Sequence, residues 1–299
     1  MMNKKRGLIY DFRTNWKSYI FVLPVVLGVL IFSVYPIVSS LFYSFTDYNI
    51  AYPPYNFGLQ NYIKAFTTDW PKVGKSIGIT LLYTVISVPV NMLLSFGLAL
   101  LLNRAAKGVG VFRVLFYTPV IIPGIVVSLL WVDIVDPVYG IANAILEALG
   151  LPKSQFIYDP STALATVIVI GFWNIGANMI LWLSALKNVS NELKEAARLD
   201  GAGSFRTLTN VTIPMCTPTI FYILVTSAIA ALQTFGVYFM TGGGGTDDSL
   251  LFFGVKIYLE GFRSSRFGYA CALSWIMFVI VGLVSCALFK SNRWVYYED

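Results

Sequence analysis

The chain contains no histidine, and only 12% of its 299 residues are charged. The first absence removes the commonest proton shuttle and metal ligand at neutral pH. The second excludes an ordinary soluble enzyme, in which about a quarter of the residues carry charge. Three cysteines, Cys216, Cys271 and Cys286, lie in apolar stretches. They read as small hydrophobes, not as a disulfide framework. The phosphate-loop pattern G-x-x-x-x-G-K-[ST] is missing, and the glycine run Gly242 to Gly245 has no strand before it and no lysine after it. No nucleophile–base pair or metal-ligand cluster is visible. The chain is therefore not expected to be an enzyme or to hold a cofactor of its own.

What it has instead is apolar length: 57% of the residues are hydrophobic and the mean hydropathy is +0.71. Six stretches contain no Asp, Glu, Lys or Arg: 19–42, 77–103, 114–132, 163–186, 216–240 and 269–289. Their lengths run from 19 to 27 residues, and about 20 helical residues cross a hydrocarbon core of about 30 Å. The expected fold is an all-α integral membrane protein with six spans. The spans also lack the charges that mark ion relays and voltage sensors. A proton- or sodium-coupled secondary carrier is disfavoured on that ground.

An even number of spans puts both termini on one side. Segments 1–18, 104–113, 187–215 and 290–299 hold 14 Lys and Arg in 67 residues. Segments 43–76, 133–162 and 241–268 hold 7 in 92. By the positive-inside rule the first set, and both termini, are cytoplasmic. The net charge of +6 then reads as topology and contact with anionic lipid, not as nucleic-acid binding. Residues 1–18 read as a basic cytoplasmic leader, 19–290 as one membrane domain, and 291–299 as a cytoplasmic tail. The first span has no small-residue cleavage site behind it and reads as a retained helix.

The loop 187–215 carries the most information. Ser190 or Asn191 can cap a helix, and Glu192 suits its first turn. Leu193, Ala196, Ala197 and Leu199 form an apolar side. Gly201 stands where a left-handed C-terminal cap is wanted. Ser204 can cap a second short helix running to Pro214. The result is a helical hairpin at the membrane face, either a docking element for a partner or a plain interfacial helix. Glu195-Ala196-Ala197, three residues, Gly201, nine residues and Val211-Thr212-Ile213-Pro214 resemble the EAA signature of ABC importer permeases. Val211 and Ile213 depart from the family's Ile and Leu but stay apolar.

Further segments resemble the carbohydrate-type permeases of that family, in particular the first of the two permeases. They are Leu23-Pro24 through Tyr35-Pro36, Ser44 to Tyr48, Gln233-Thr234-Phe235, Met240 to Gly244, Gly268-Tyr269-Ala270 and Trp294 to Glu298. The resemblance implies a type I importer permease in a bacterial or archaeal cell membrane. It implies a second permease, two ATPase subunits that hold ATP and Mg, and an extracytoplasmic binding protein. Glu195, Ala196, Ala197, Arg198, Asp200, Gly201 and Pro214 would form the coupling loop. Glu195 would face a basic group of the ATPase, and Gly201 would allow the bend.

Polar residues inside spans are candidates for the substrate path. Asn174 and Asn178 share a helical face, with Trp173 adjacent. Ser227, Thr234 and Tyr238 share another, with Gln233 beside it, and Asn91 sits in the second span. Amides, hydroxyls and aromatic faces suit a neutral sugar or oligosaccharide. For any one of these residues the plainer role is helix–helix bonding. A non-sugar solute such as glycerol phosphate would fit the same architecture, with cations supplied by partners. A membrane scaffold is the remaining alternative. Pro89, Pro119 and Pro123 read as kinks.

Overall fold

The computed structural model describes residues 8–103 and 108–295, and for residues 8–18 the backbone alone. The tail residues Tyr296, Tyr297 and Glu298 and the basic residues Lys4, Lys5, Arg6, Arg104 and Lys107 lie outside the described residues. The described chain is helical, with isolated bridges and no strand. In order come α1 (Leu8–Val29), α2 (Tyr35–Ser44), α3 (Gln60–Phe66), α4 (Trp70–Leu102), α5 (Val109–Ile121) and α6 (Gly124–Ile134). Next are α7 (Ile141–Ala148), α8 (Pro160–Gly171), α9 (Gly176–Asn188), α10 (Asn191–Leu199), α11 (Ser204–Thr207) and α12 (Ile213–Met215). The last are α13 (Thr217–Leu232), α14 (Val237–Thr241), α15 (Phe253–Tyr258) and α16 (Phe267–Lys290).

Four helical segments are long and apolar enough to cross a membrane: Tyr19–Ser44, Trp70–Leu102, Thr217–Thr241 and Phe267–Trp294. Two further segments qualify only as bent pairs. Val109–Ile121 and Gly124–Ile134 meet at 100°, and Pro160–Asn174 and Gly176–Asn188 at 50°. The count is four, or six when each bent pair is one span. The sharper bend falls at Ile122-Pro123, where the pyrrolidine ring leaves no N–H to continue the ladder. Helix α1 begins at Leu8, inside the stretch read as a leader, and α4 begins ahead of the charge-free run at Ile77.

The chain divides into two compact units. One contains residues up to Ile63 and Glu260–Trp275. An 18-residue apolar window of its long N-terminal span holds no buried residue, while Ser44 at the end of the span is buried. At its end, Asn61 Nδ2 donates to the carbonyls of Ser44 at 2.9 Å and Thr46 at 2.8 Å. Asp47 accepts the backbone N–H groups of Tyr55 and Asn56 and the amide of Asn56. These bonds close the loop 47–57 and hold the Asp47 carboxyl below its ordinary pKa of 3.8, the Tyr55 N–H contributing most.

The other unit holds Lys64–Leu259 and the chain from Ile276. Helix α4 is its axis, flanked by α9 and α13. Small polar residues run along α4 at Ser76, Thr80, Thr84, Ser87 and Ser95, and all are buried. Ser76, Thr80, Thr84 and Ser95 return their hydroxyls to their own helix, which lets neighbours approach without orphaned donors. Trp182 Nε1 donates to Ser95 Oγ at 3.1 Å inside a cluster of Ala99, Met179, Leu186, Cys216 and Ile223. A second cluster joins Ile157, Val167, Val237, Leu250, Phe252 and Val255. It is pinned to α4 by the Phe253 N–H on Thr80 Oγ1 at 2.9 Å and by an ion pair of buried Lys256 with half-buried Asp69 at 2.9 Å.

Candidate translocation cavity and coupling hairpin

A cavity of about 390 Å³ opens between α4, α9 and α13, within the range of small-molecule sites. Its polar wall is Tyr83, Ser87, Asn91, Asn174, Asn178, Thr226, Ser227 and Thr234. None of the residues lining it is Asp, Glu, Lys or Arg. The three helices meet at one amide. Asn178 Nδ2 donates to Asn91 Oδ1 at 3.0 Å and to Ser227 Oγ at 3.4 Å. That geometry leaves Asn178 Oδ1 as an acceptor and Asn91 Nδ2 as a donor. Exchanging the two atoms of each amide keeps one of each. Such a pair complements a hydroxyl, which both donates and accepts.

Five of the eight pathway candidates from the sequence line this cavity: Asn91, Asn174, Asn178, Ser227 and Thr234. Trp173 lines a neighbouring cavity of about 360 Å³, which shares Tyr83, Gly171, Asn174 and Thr234 with the first. Its ring meets Trp131 edge-on at 5.8 Å. Tyr238 and Gln233 stand apart from both. Helix α13 ends at Leu232, with Gln233 as its exposed cap, so the face drawn from Ser227 to Tyr238 on a continuous helix is broken. Tyr238 stacks on Phe235 at 5.4 Å and packs against Tyr258 at 4.6 Å. Sequence reading missed Tyr83 and Ser87. With Asn91 they recur every four residues on α4, a signal hidden by the apolar residues between them.

The hairpin has the expected local chemistry. Ser190 caps α10, accepting the Glu192 N–H at 3.1 Å. Gly201 has φ +82°, and the Gly201 and Ala202 N–H groups return to the carbonyls of Arg198 and Ala197, a Schellman ending. Ser204 is the first residue of α11 rather than its cap, which is Gly203. The chain then continues through a π turn, Leu208–Thr212, into α12, which holds Pro214. Glu195, Ala196, Asp200 and Gly201 are exposed, and Ala197 and Pro214 are half-buried. Leu199 is 89% exposed and Phe205 77%. The apolar side drawn through Leu199 is therefore not turned toward the chain. Arg198 lines an inner cavity together with Lys194.

A family model described as the binding-protein-dependent transport system inner membrane component matches residues 91–295. A probable ABC transporter permease protein, YesP, of Bacillus subtilis (strain 168) is 37% identical over 100% of this chain and 96% of its own length. The multiple sugar-binding transport system permease protein MsmF of Streptococcus mutans is 32% identical, over 93% of this chain and 95% of its own. A chain in the crystal structure of a bacterial ABC transporter that imports the acidic polysaccharide alginate superposes with a TM-score of 0.85. Its identity is 22%, and the match covers 97% of this chain and 99% of that one. With the matched segment containing the EAA-like hairpin and most of the cavity wall, the chain belongs to the binding-protein-dependent transport system inner membrane components, the permeases of ABC importers.

Proposed function

We propose that this chain is one of two permeases in an ATP-driven importer that moves a neutral sugar or oligosaccharide into the cytoplasm. The observation that carries the substrate class is the cavity wall: amides, hydroxyls and one phenol, with no charged side chain. A phosphate or carboxylate substrate would need cations that this wall does not offer and a partner chain would have to supply. The name of the MsmF relative supports a sugar as the substrate. The six charge-free stretches are six spans, and the basic segments, both termini included, face the cytoplasm. The membrane is that of a bacterial or archaeal cell.

The driving force is supplied by two ATPase subunits holding ATP and Mg. Exposed Glu195, Leu199, Asp200 and Phe205 on the hairpin form the surface that meets one of them. Ala196 and Gly201 permit close approach, and the Gly201 bend sets the angle between α10 and α11. ATP-driven closure of the ATPases then rocks the helices around the cavity. An extracytoplasmic binding protein delivers the sugar, and a second permease, a different chain, completes the path.

The test is uptake into liposomes carrying this chain with its second permease, ATPases and binding protein. Neutral di- and trisaccharides are expected to compete for uptake, and sn-glycerol 3-phosphate and amino acids are not. Uptake of glycerol phosphate with no response to neutral sugars overturns the substrate class. Glu195→Lys and Gly201→Asp are each expected to abolish uptake while the chain stays in the membrane. Normal transport by both overturns the coupling role.

A further inference from the structure

A third cavity, of about 340 Å³, lies on the inner side of the hairpin. Its wall combines Lys194 and Arg198 with Ser204, Thr207 and Asn103, closed by the apolar Leu100 and Leu186. Lys194 and Arg198 stand at i and i+4 on α10, so both cations share one helical face. Among the described residues, no carboxylate lines this cavity. The acidic residues of the hairpin, Glu192, Glu195 and Asp200, are exposed and outside its wall. Lys194 Nζ makes one bond, to the Val189 carbonyl at 3.0 Å. Two of its three donors stay available.

We propose that this cavity binds a phosphate ester. A guanidinium offers paired donors to phosphate oxygens and a lysine adds a point charge. The Ser204 hydroxyl and the Asn103 amide supply neutral donors beside them. The ligand is either a soluble sugar phosphate or the headgroup of an anionic lipid, and both present the same oxygens. Bound there, it bridges α10 to the ends of α4 and α9, and so fixes the hairpin against the helices it moves. The binding site stands on this wall alone; the consequence for transport rests on the importer reading above.

The full chain in phosphatidylcholine nanodiscs is titrated with glucose 6-phosphate by calorimetry. In parallel, phosphatidylglycerol is added to the nanodiscs, and the lipid retained by the chain is read by native mass spectrometry. Saturable binding of glucose 6-phosphate identifies a soluble ester. Retention of phosphatidylglycerol without it identifies a headgroup. The double variant K194Q/R198Q is expected to weaken whichever binding is seen by at least about tenfold, the scale of one charge-assisted hydrogen bond. K194R is expected to retain it. R206Q, which removes a charge on the same hairpin outside the wall, is expected to leave it unchanged. No saturable binding in either arm, or equal loss in R206Q, overturns the site. No arm measures transport, so its failure is distinct from failure of the importer reading.

Discussion

At the scale of single residues, Asn178 separates two roles that polar residues play inside membranes. As helix–helix glue it contributes two bonds, to Asn91 and to Ser227. Such bonds average about 0.6 kcal/mol each, so Asn178→Ala as glue alone lowers stability by about 1 kcal/mol. As a substrate contact it also presents a free acceptor to the cavity. The variant is then expected to raise the KM for sugar uptake about tenfold, about 1.4 kcal/mol of lost binding. Thermal unfolding and uptake measured on the same preparation decide between the roles. Uptake that falls only in proportion to folded protein leaves glue alone. Asn178→Asp is expected to do more harm than Asn178→Ala, because a carboxylate placed in a span costs about 2.5–3.5 kcal/mol.

At the scale of elements, two glycines and one carboxylate do work that composition alone does not reveal. A Cβ on Gly176 would stand 2.0 Å from the Phe116 carbonyl oxygen. That contact is backbone against backbone and cannot relax by a rotamer change. Gly176→Ala is expected to force α9 away from α5 and to cost about 3 kcal/mol, read as a lowered midpoint of thermal unfolding. Gly201→Ala keeps its space but not its φ of +82°. Holding alanine there costs about 1–2 kcal/mol, so the hairpin is expected to show faster hydrogen exchange around Ala202 while the spans do not change. In the loop 47–57 the Asp47 carboxyl has a folded pKa below its ordinary 3.8. Its contribution is therefore complete above that ordinary value and fades as pH falls through the lower folded value. Exchange at Tyr55 and Asn56 is expected to rise only in that acid range. Asp47→Asn is expected to raise it at neutral pH, because the amide brings a donor toward the Asn56 donor.

At the scale of the whole molecule, what the sequence made legible was what charge and apolar length control. The charge-free stretches coincide with the long helices or with the bent pairs, and Pro123 marks the sharper bend. The spacing of Glu195, Ala196, Ala197 and Gly201 located the hairpin. Packing decided the rest. The break after Leu232 has no proline, and Gly236 was its one local sign, so Tyr238 was drawn onto a face that it does not occupy. Leu199 falls on an apolar side, but periodicity cannot tell a core-facing stripe from a partner-facing one, and only the structure gives its direction. Its exposure makes a direct test of assembly. Leu199 and Phe205 bury little within the chain, so Leu199→Asp and Phe205→Ser are expected to leave its thermal unfolding within about 0.5 kcal/mol of the parent. In the assembled importer the same residues would be desolvated against the ATPase, where large apolar anchors each contribute about 2 kcal/mol or more. Co-purification of the ATPase is therefore expected to fail for the double variant while the chain itself is recovered intact. Recovery of the ATPase at parental levels would remove Leu199 and Phe205 from the docking surface and leave it to Glu195 and Asp200.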